Sequence, residues 1–124
     1  MRAAAAAAHP CEACGILLGT RGRITEAREA RNVHPAPATH FEIDPQALID
    51  AHRAARAGGL AVIGYFHSHP VGEPVPSATD CACAAGDGKV WAIISADTIS
   101  SGDVRFWTDG EQGFVALSFT MIDG

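Results

Sequence analysis

Gly64-Tyr65-Phe66-His67-Ser68-His69-Pro70 is the stretch that decides how this chain reads. The residues leading into it, Leu60 to Phe66, are apolar and partly β-branched, which predicts a buried strand with His67 and His69 at its exit. Side chains two apart on a strand share a face, so the two imidazoles stand side by side, with Cα atoms roughly 6 to 7 Å apart. Such a pair can chelate. Pro70 ends the strand pairing, and Val71-Gly72-Glu73-Pro74-Val75-Pro76 makes a stiff loop that turns the chain back.

Ser77-Ala78-Thr79-Asp80 then opens an alanine-rich segment, Cys81 to Ala85, expected to be a short helix. An aspartate in the first turn of that helix can face the histidines as a third ligand. Two neutral imidazoles and one carboxylate suit a catalytic zinc that keeps its fourth position for water. Plainer uses stand beside this one. Ser-x-x-Asp before a helix is also a capping box, and strand-end histidines can be simple hydrogen-bonding residues.

His67-Ser68-His69-Pro70, six residues, Ser77, two residues, Asp80 resembles the full signature of the JAMM metalloprotease family, also called MPN+ or JAB. The stretch from His9 to Gly19, with Glu12 in it, is similar to the region where that family carries a glutamate at the end of its first helix. Weaker similarity runs through Asn32 and Phe41-Glu42-Ile43-Asp44. The resemblance implies an enzyme: zinc on His67, His69 and Asp80, Glu12 as general base and then acid, and Ser77 donating a hydrogen bond to the oxyanion. It also implies hydrolysis of an amide or isopeptide bond after the C-terminal Gly-Gly of a ubiquitin-like or sulfur-carrier protein, joined to cysteine or to a lysine side chain. Rival readings are a scaffold domain of the same fold with a structural metal, and a general metallopeptidase.

The chain has 124 residues, 48% hydrophobic and 19% charged, which suits one globular domain spanning 1–124. Its formal charge is −5, and Lys89 is its single lysine, so no basic run points to nucleic acid or an anionic membrane. Met1-Arg2 and the six alanines after it are short for a secretory core and lack leucine, so they read as helix. The expected compartment is the cytoplasm, where the four cysteines stay reduced.

Around the central strand, Arg2 to His9 is expected as a helix stopped by Pro10, with strands at Ala13 to Thr20 and Ile24 to Val33 joined by a turn at Arg21-Gly22-Arg23. Phe41 to Ile43 reads as a short strand, and Asp44-Pro45 starts a helix that ends at Gly58-Gly59. Lys89 to Ser95, Val104 to Thr108 and Phe114 to Met121 follow as strands, with turns at Asp97 to Gly102 and Asp109 to Gly113. This order predicts an α/β fold with a mixed sheet, and the resemblance implies a curved sheet between helices in a cytidine deaminase-like architecture. Members of that family usually carry a strand ahead of the first helix, whereas here only Met1 stands before Arg2, so that edge of the sheet is expected to be missing or supplied by a partner.

Cysteine offers two competing metal sites. Pro10-Cys11-Glu12-Ala13-Cys14 and His40-Phe41-Glu42 match the two halves of a zinc deaminase signature, but in reversed order. Cys11, Cys14, Cys81 and Cys83 can instead make a structural four-cysteine site, although Cys14 and Cys83 fit core positions better. His9, His34, His40 and His52 are read as surface or loop residues, Trp91, Phe106 and Trp107 as sheet packing, and Ser68 as a structural hydrogen-bonding residue.

Overall fold

Six strands form one sheet in the order β2-β1-β3-β4-β5-β6, and the computed structural model describes residues 1–20, 23–96 and 103–117. The elements run α1 (Arg2–Ala8), β1 (Cys14–Thr20), β2 (Arg23–Ala30), α2 (Pro45–Arg56), β3 (Ala61–His69), α3 (Ala78–Cys83), β4 (Val90–Ser95), β5 (Val104–Gly110) and β6 (Gly113–Leu117). Alanine has the highest helix propensity, which accounts for α1, and Pro10 cannot continue it. At the start of α2 the Asp44 side chain accepts a hydrogen bond from the Gln46 N–H, and Pro45 fills the first helical position.

Neighbouring strands are antiparallel except β3 and β4, which run parallel at the centre of the sheet. A parallel pair needs a long crossover, and α3 lies within it. Topology thus returns α3 to the end of β3 where the histidines are. The β3–β4 approach is close enough that a Cβ on Gly64 would run into the Val90 carbonyl oxygen, so no larger residue fits there.

Both faces of this mixed α/β sheet are covered. Ala5 of α1 packs with Leu17, Phe66, Ala92, Ile94 and Phe106, while Ala51 of α2 packs with Cys14, Ile16, Leu18, Ile43 and Val62 on the other side. Strict alternation along β3 would put Val62 with Phe66. Opposite β1, however, Leu17 pairs with Gly64 and Leu18 with Val62, which leaves Ile63 as an extra residue. This bulge shifts the phase, so Val62 joins Tyr65 on the α2 face and the alternation beyond puts His67 and His69 there too.

Four expectations change. Both histidines lie inside β3 and not beyond its end: His67 pairs with Cys14 and Ile93, and His69 with Ser95. The Phe41–Ile43 strand reduces to a single bridge between Asn32 and Ile43. The short helix spans Ala78–Cys83 and does not reach Ala85, while Ser77 as its cap and Asp80 in its first turn stand as expected. Cys83 is exposed, since a helix this short buries only Asp80. The turn at Arg21-Gly22, that at Asp97 to Gly102, and the end of the last predicted strand lie outside the described residues. Among the described residues no helix is long and apolar enough to cross a membrane.

Candidate metal centre

His67, His69 and Asp80 are buried and converge. The two Nε2 atoms are 3.2 Å apart, His69 Nε2 is 3.0 Å from Asp80 Oδ2, and His67 Nε2 is 3.1 Å from each Asp80 oxygen. A tetrahedron with metal–ligand bonds of 2.0–2.1 Å has edges of roughly 3.3 Å. The three donor atoms already stand at about that spacing, so the group can hold a metal ion.

Local structure aims each donor. The Nδ1 of His69 is 2.9 Å from the Glu73 carbonyl oxygen, and an N–H donated there orients the ring with Nε2 toward the site. The loop carrying that carbonyl is pinned by Ser95 Oγ donating to the Gly72 carbonyl (2.8 Å) and Trp107 Nε1 donating to the Pro74 carbonyl (3.2 Å). His67 is positioned by packing. Phe41 stacks on it at 4.3 Å, Trp91 meets it edge-on at 5.6 Å, and among the described residues its buried Nδ1 has no hydrogen-bond partner.

Asp80 shows that the capping and ligand readings are compatible. Ser77 Oγ accepts the Asp80 N–H at 3.0 Å while Asp80 Oδ2 accepts the Ser77 N–H at 2.9 Å, a reciprocal capping box. The same Oδ2 faces both imidazoles. The cap therefore fixes the rotamer that presents the carboxylate to the histidines.

Charge follows burial and pairing. Desolvation pushes the Asp80 carboxyl up, but hydrogen bonds from His67 and His69 outweigh it and hold the pKa far below the usual carboxylate range. Burial pulls His67 below the ordinary imidazole value. For His69 burial acts in the same sense, yet the bonds to Asp80 and to the Glu73 carbonyl carry it above. Glu12 is pushed up to about 7, chiefly by burial, with His69 lowering it and Asp80 raising it. Those two neighbours place its carboxyl in the field of the same cluster.

Glu12 does not end the first helix. That helix stops at Ala8, and Glu12 lies in the irregular link before β1. Its N–H donates to the Pro37 carbonyl at 2.7 Å, and its carbonyl accepts from Asn32 Nδ2 at 3.0 Å.

The family model for prokaryotic homologs of the JAB domain matches residues 1–110. This chain belongs to that family. Among curated JAB relatives, a desampylase from Haloferax volcanii is 38% identical over 98 residues, covering 77% of this chain and 70% of that protein. A probable TtuB-protein conjugate cleaving protease from Thermus thermophilus is 37% identical over 106 residues, covering 86% of this chain and 62% of that one. The solution structure of a Desulfitobacterium hafniense protein superposes with a TM-score of 0.81 at 30% identity, covering 94% of this chain and 82% of that one.

This JAB domain has features that the sequence concealed. A cavity of about 260 Å³ opens beside Asp80, walled by Phe41, Ile43, Leu48, Tyr65 and Trp91, with His34 and His40 at its side. These two imidazoles stack at 4.6 Å and 8° and both line that cavity. Nothing in their loop's composition signals that. Trp91 belongs to the JAB centre as well as to the core. The cysteines do not assemble: Cys14 is buried with its thiol pushed up to about 12 by burial, then by Glu12 and Glu29, while Cys81 and Cys83 are exposed. Among the described residues the metal-capable group is the histidine–aspartate one, so neither cysteine site is supported.

Proposed function

We propose that this JAB domain is a zinc hydrolase that cuts the amide or isopeptide bond after the C-terminal Gly-Gly of a ubiquitin-like or sulfur-carrier protein. The observation carrying it is the buried His67–His69–Asp80 cluster that can hold a metal, with the buried Glu12 carboxyl within electrostatic reach of it. The relatives named as desampylase and TtuB-protein conjugate cleaving protease support the substrate class. On this reading residues 1–124 act as one catalytic domain, and the free thiols suit the cytoplasm.

His67, His69 and Asp80 would hold the zinc, since two imidazoles and a carboxylate are a donor set it favours. Bound there, the metal supplies Lewis acidity that activates water and polarises the scissile carbonyl. Glu12 takes the proton from the attacking water and returns it to the leaving amine. A carboxyl raised to about 7 is well matched to moving a proton in either direction near neutral pH. Ser77 accepts one bond from the Asp80 N–H, which uses a lone pair and leaves its O–H to donate to the developing oxyanion.

The test uses zinc-loaded protein and a ubiquitin-like protein joined through its C-terminal glycine to a lysine side chain or to cysteine, followed by intact mass. Loss of the joined group is expected, with little cleavage of unstructured peptides. Equal cleavage of random peptides would leave only a general metallopeptidase, and no cleavage of either with zinc bound would favour a structural metal.

A further inference from the structure

The peptide unit between Glu12 and Ala13 is gripped at both polar ends by side chains from distant parts of the chain. Its carbonyl accepts from Asn32 Nδ2 at 3.0 Å, and its N–H donates to Ser68 Oγ at 2.7 Å. The Ser68 N–H in turn donates to the Ala13 carbonyl at 2.9 Å. Ser68 is fully buried and sits between His67 and His69 on β3.

Asn32 is saturated. Its Nδ2 also donates to the His40 carbonyl at 3.0 Å, and its Oδ1 accepts the His34 and Glu42 N–H groups, each at 3.1 Å. An amide with two N–H donors and a two-lone-pair oxygen has no further strong capacity. One side chain therefore ties the segment carrying Glu12 to the loop whose His34, His40, Phe41 and Glu42 border the cavity. The Glu12 N–H adds a fourth link to that loop through the Pro37 carbonyl.

We propose that Asn32 and Ser68 are positioning residues that clamp the Glu12–Ala13 peptide and so fix where the general base stands relative to the metal ligands. This rests on the hydrolase reading above. Glu12 lies in irregular chain, where backbone has no ladder of its own, and proton transfer requires its oxygen within about 3 Å of the moving proton. Ser68 references the base to the strand that bears the histidines, and Asn32 references it to the cavity wall.

The experiment compares Ser68→Ala, Asn32→Ala and Asn32→Asp with the parent, as zinc-loaded protein, for zinc content, kcat and KM on the same conjugate. Asn32→Asp keeps the acceptor for His34 and Glu42 but loses both donated bonds. Ser68→Ala and Asn32→Asp should keep stoichiometric zinc and KM within about twofold while kcat falls by roughly 10- to 100-fold, the scale of a small misplacement of a reacting group. Ser68→Thr, which restores the hydroxyl, should recover most of it. Each change is repeated in Glu12→Gln, where a residue acting through Glu12 has nothing left to lose, so its further effect on kcat should vanish. An additive loss in that background, or unchanged kcat in both single variants, overturns the clamp. Should a variant be too unstable to assay, hydrogen exchange at the Ala13 amide in Ser68→Thr decides: protection equal to the parent supports the bond, and fast exchange in the parent itself overturns it. A parent without activity, or a fully active Glu12→Gln, would instead defeat the hydrolase reading, so the two failures remain separate.

Discussion

The centre is assembled from two regions built in opposite ways. The proposed metal ligands come from one continuous piece of chain, β3 through α3, and are aimed by regular structure: strand alternation for the histidines, a capped helix start for Asp80. Glu12 comes from an irregular link and is aimed by side-chain bonds reaching it from Asn32 and, at the next residue, from Ser68. On the proposed roles, metal binding and proton transfer would therefore be structurally separable, each removable while the other stands.

The sharpest way to test that separation is to remove a ligand. His67→Ala, His69→Ala and Asp80→Ala should each lose zinc, seen by metal analysis of the purified protein, and with it all measurable turnover. Metal retained in all three would break the comparison at its root. Glu12→Gln should do the reverse: stoichiometric zinc with turnover down roughly 10²- to 10⁴-fold, measured under single-turnover conditions. Zinc lost from that variant would mean that Glu12 belongs with the ligands and the two regions are one.

Ser77→Ala touches the first region and, on the proposed roles, removes the oxyanion donor as well. Loss of an N-cap costs about 1 kcal/mol, and here it also loosens the carboxylate, so a lower denaturation midpoint should accompany weaker zinc retention against a chelator. The smallest effect separates the regions by pH. Glu12 is held at about 7 against an ordinary 4.5, so the folded metal-free chain binds that proton more tightly than the unfolded one. Its contribution is full below about 4.5 and is lost as pH rises through about 7. Urea midpoints of metal-free parent and Glu12→Gln should diverge over that range, with the variant the more stable at the upper end, and parallel curves would contradict the burial of Glu12.

The same contrast explains what could be read from the sequence. The ligand spacing, the capping box and the Asp44-Pro45 helix start are short-range patterns with a fixed geometric meaning, and each sits in the structure near where the sequence suggests. Glu12 was legible as a residue but not as a position. Its partners lie 20 and, through Ala13, 55 residues away, and no periodicity encodes such bonds. The stack of His34 on His40 and the hold of Trp107 on the Pro74 carbonyl were hidden for the same reason. Cys83 failed differently: an alanine-rich stretch suggested a core helix, and one six-residue helix buries too little to make one.

The parallel crossover between β3 and β4 has a consequence in time. His67 and Asp80 are 13 residues apart, whereas Ser68 must find Ala13 across 55, and closing the longer loop costs about 1.3 kcal/mol more in chain entropy. During folding the ligand group can gather before the N-terminal link docks. On the proposed roles, a chain caught at that stage would hold metal yet lack its proton carrier, and hydrolytic activity would come last, with completion of the fold itself.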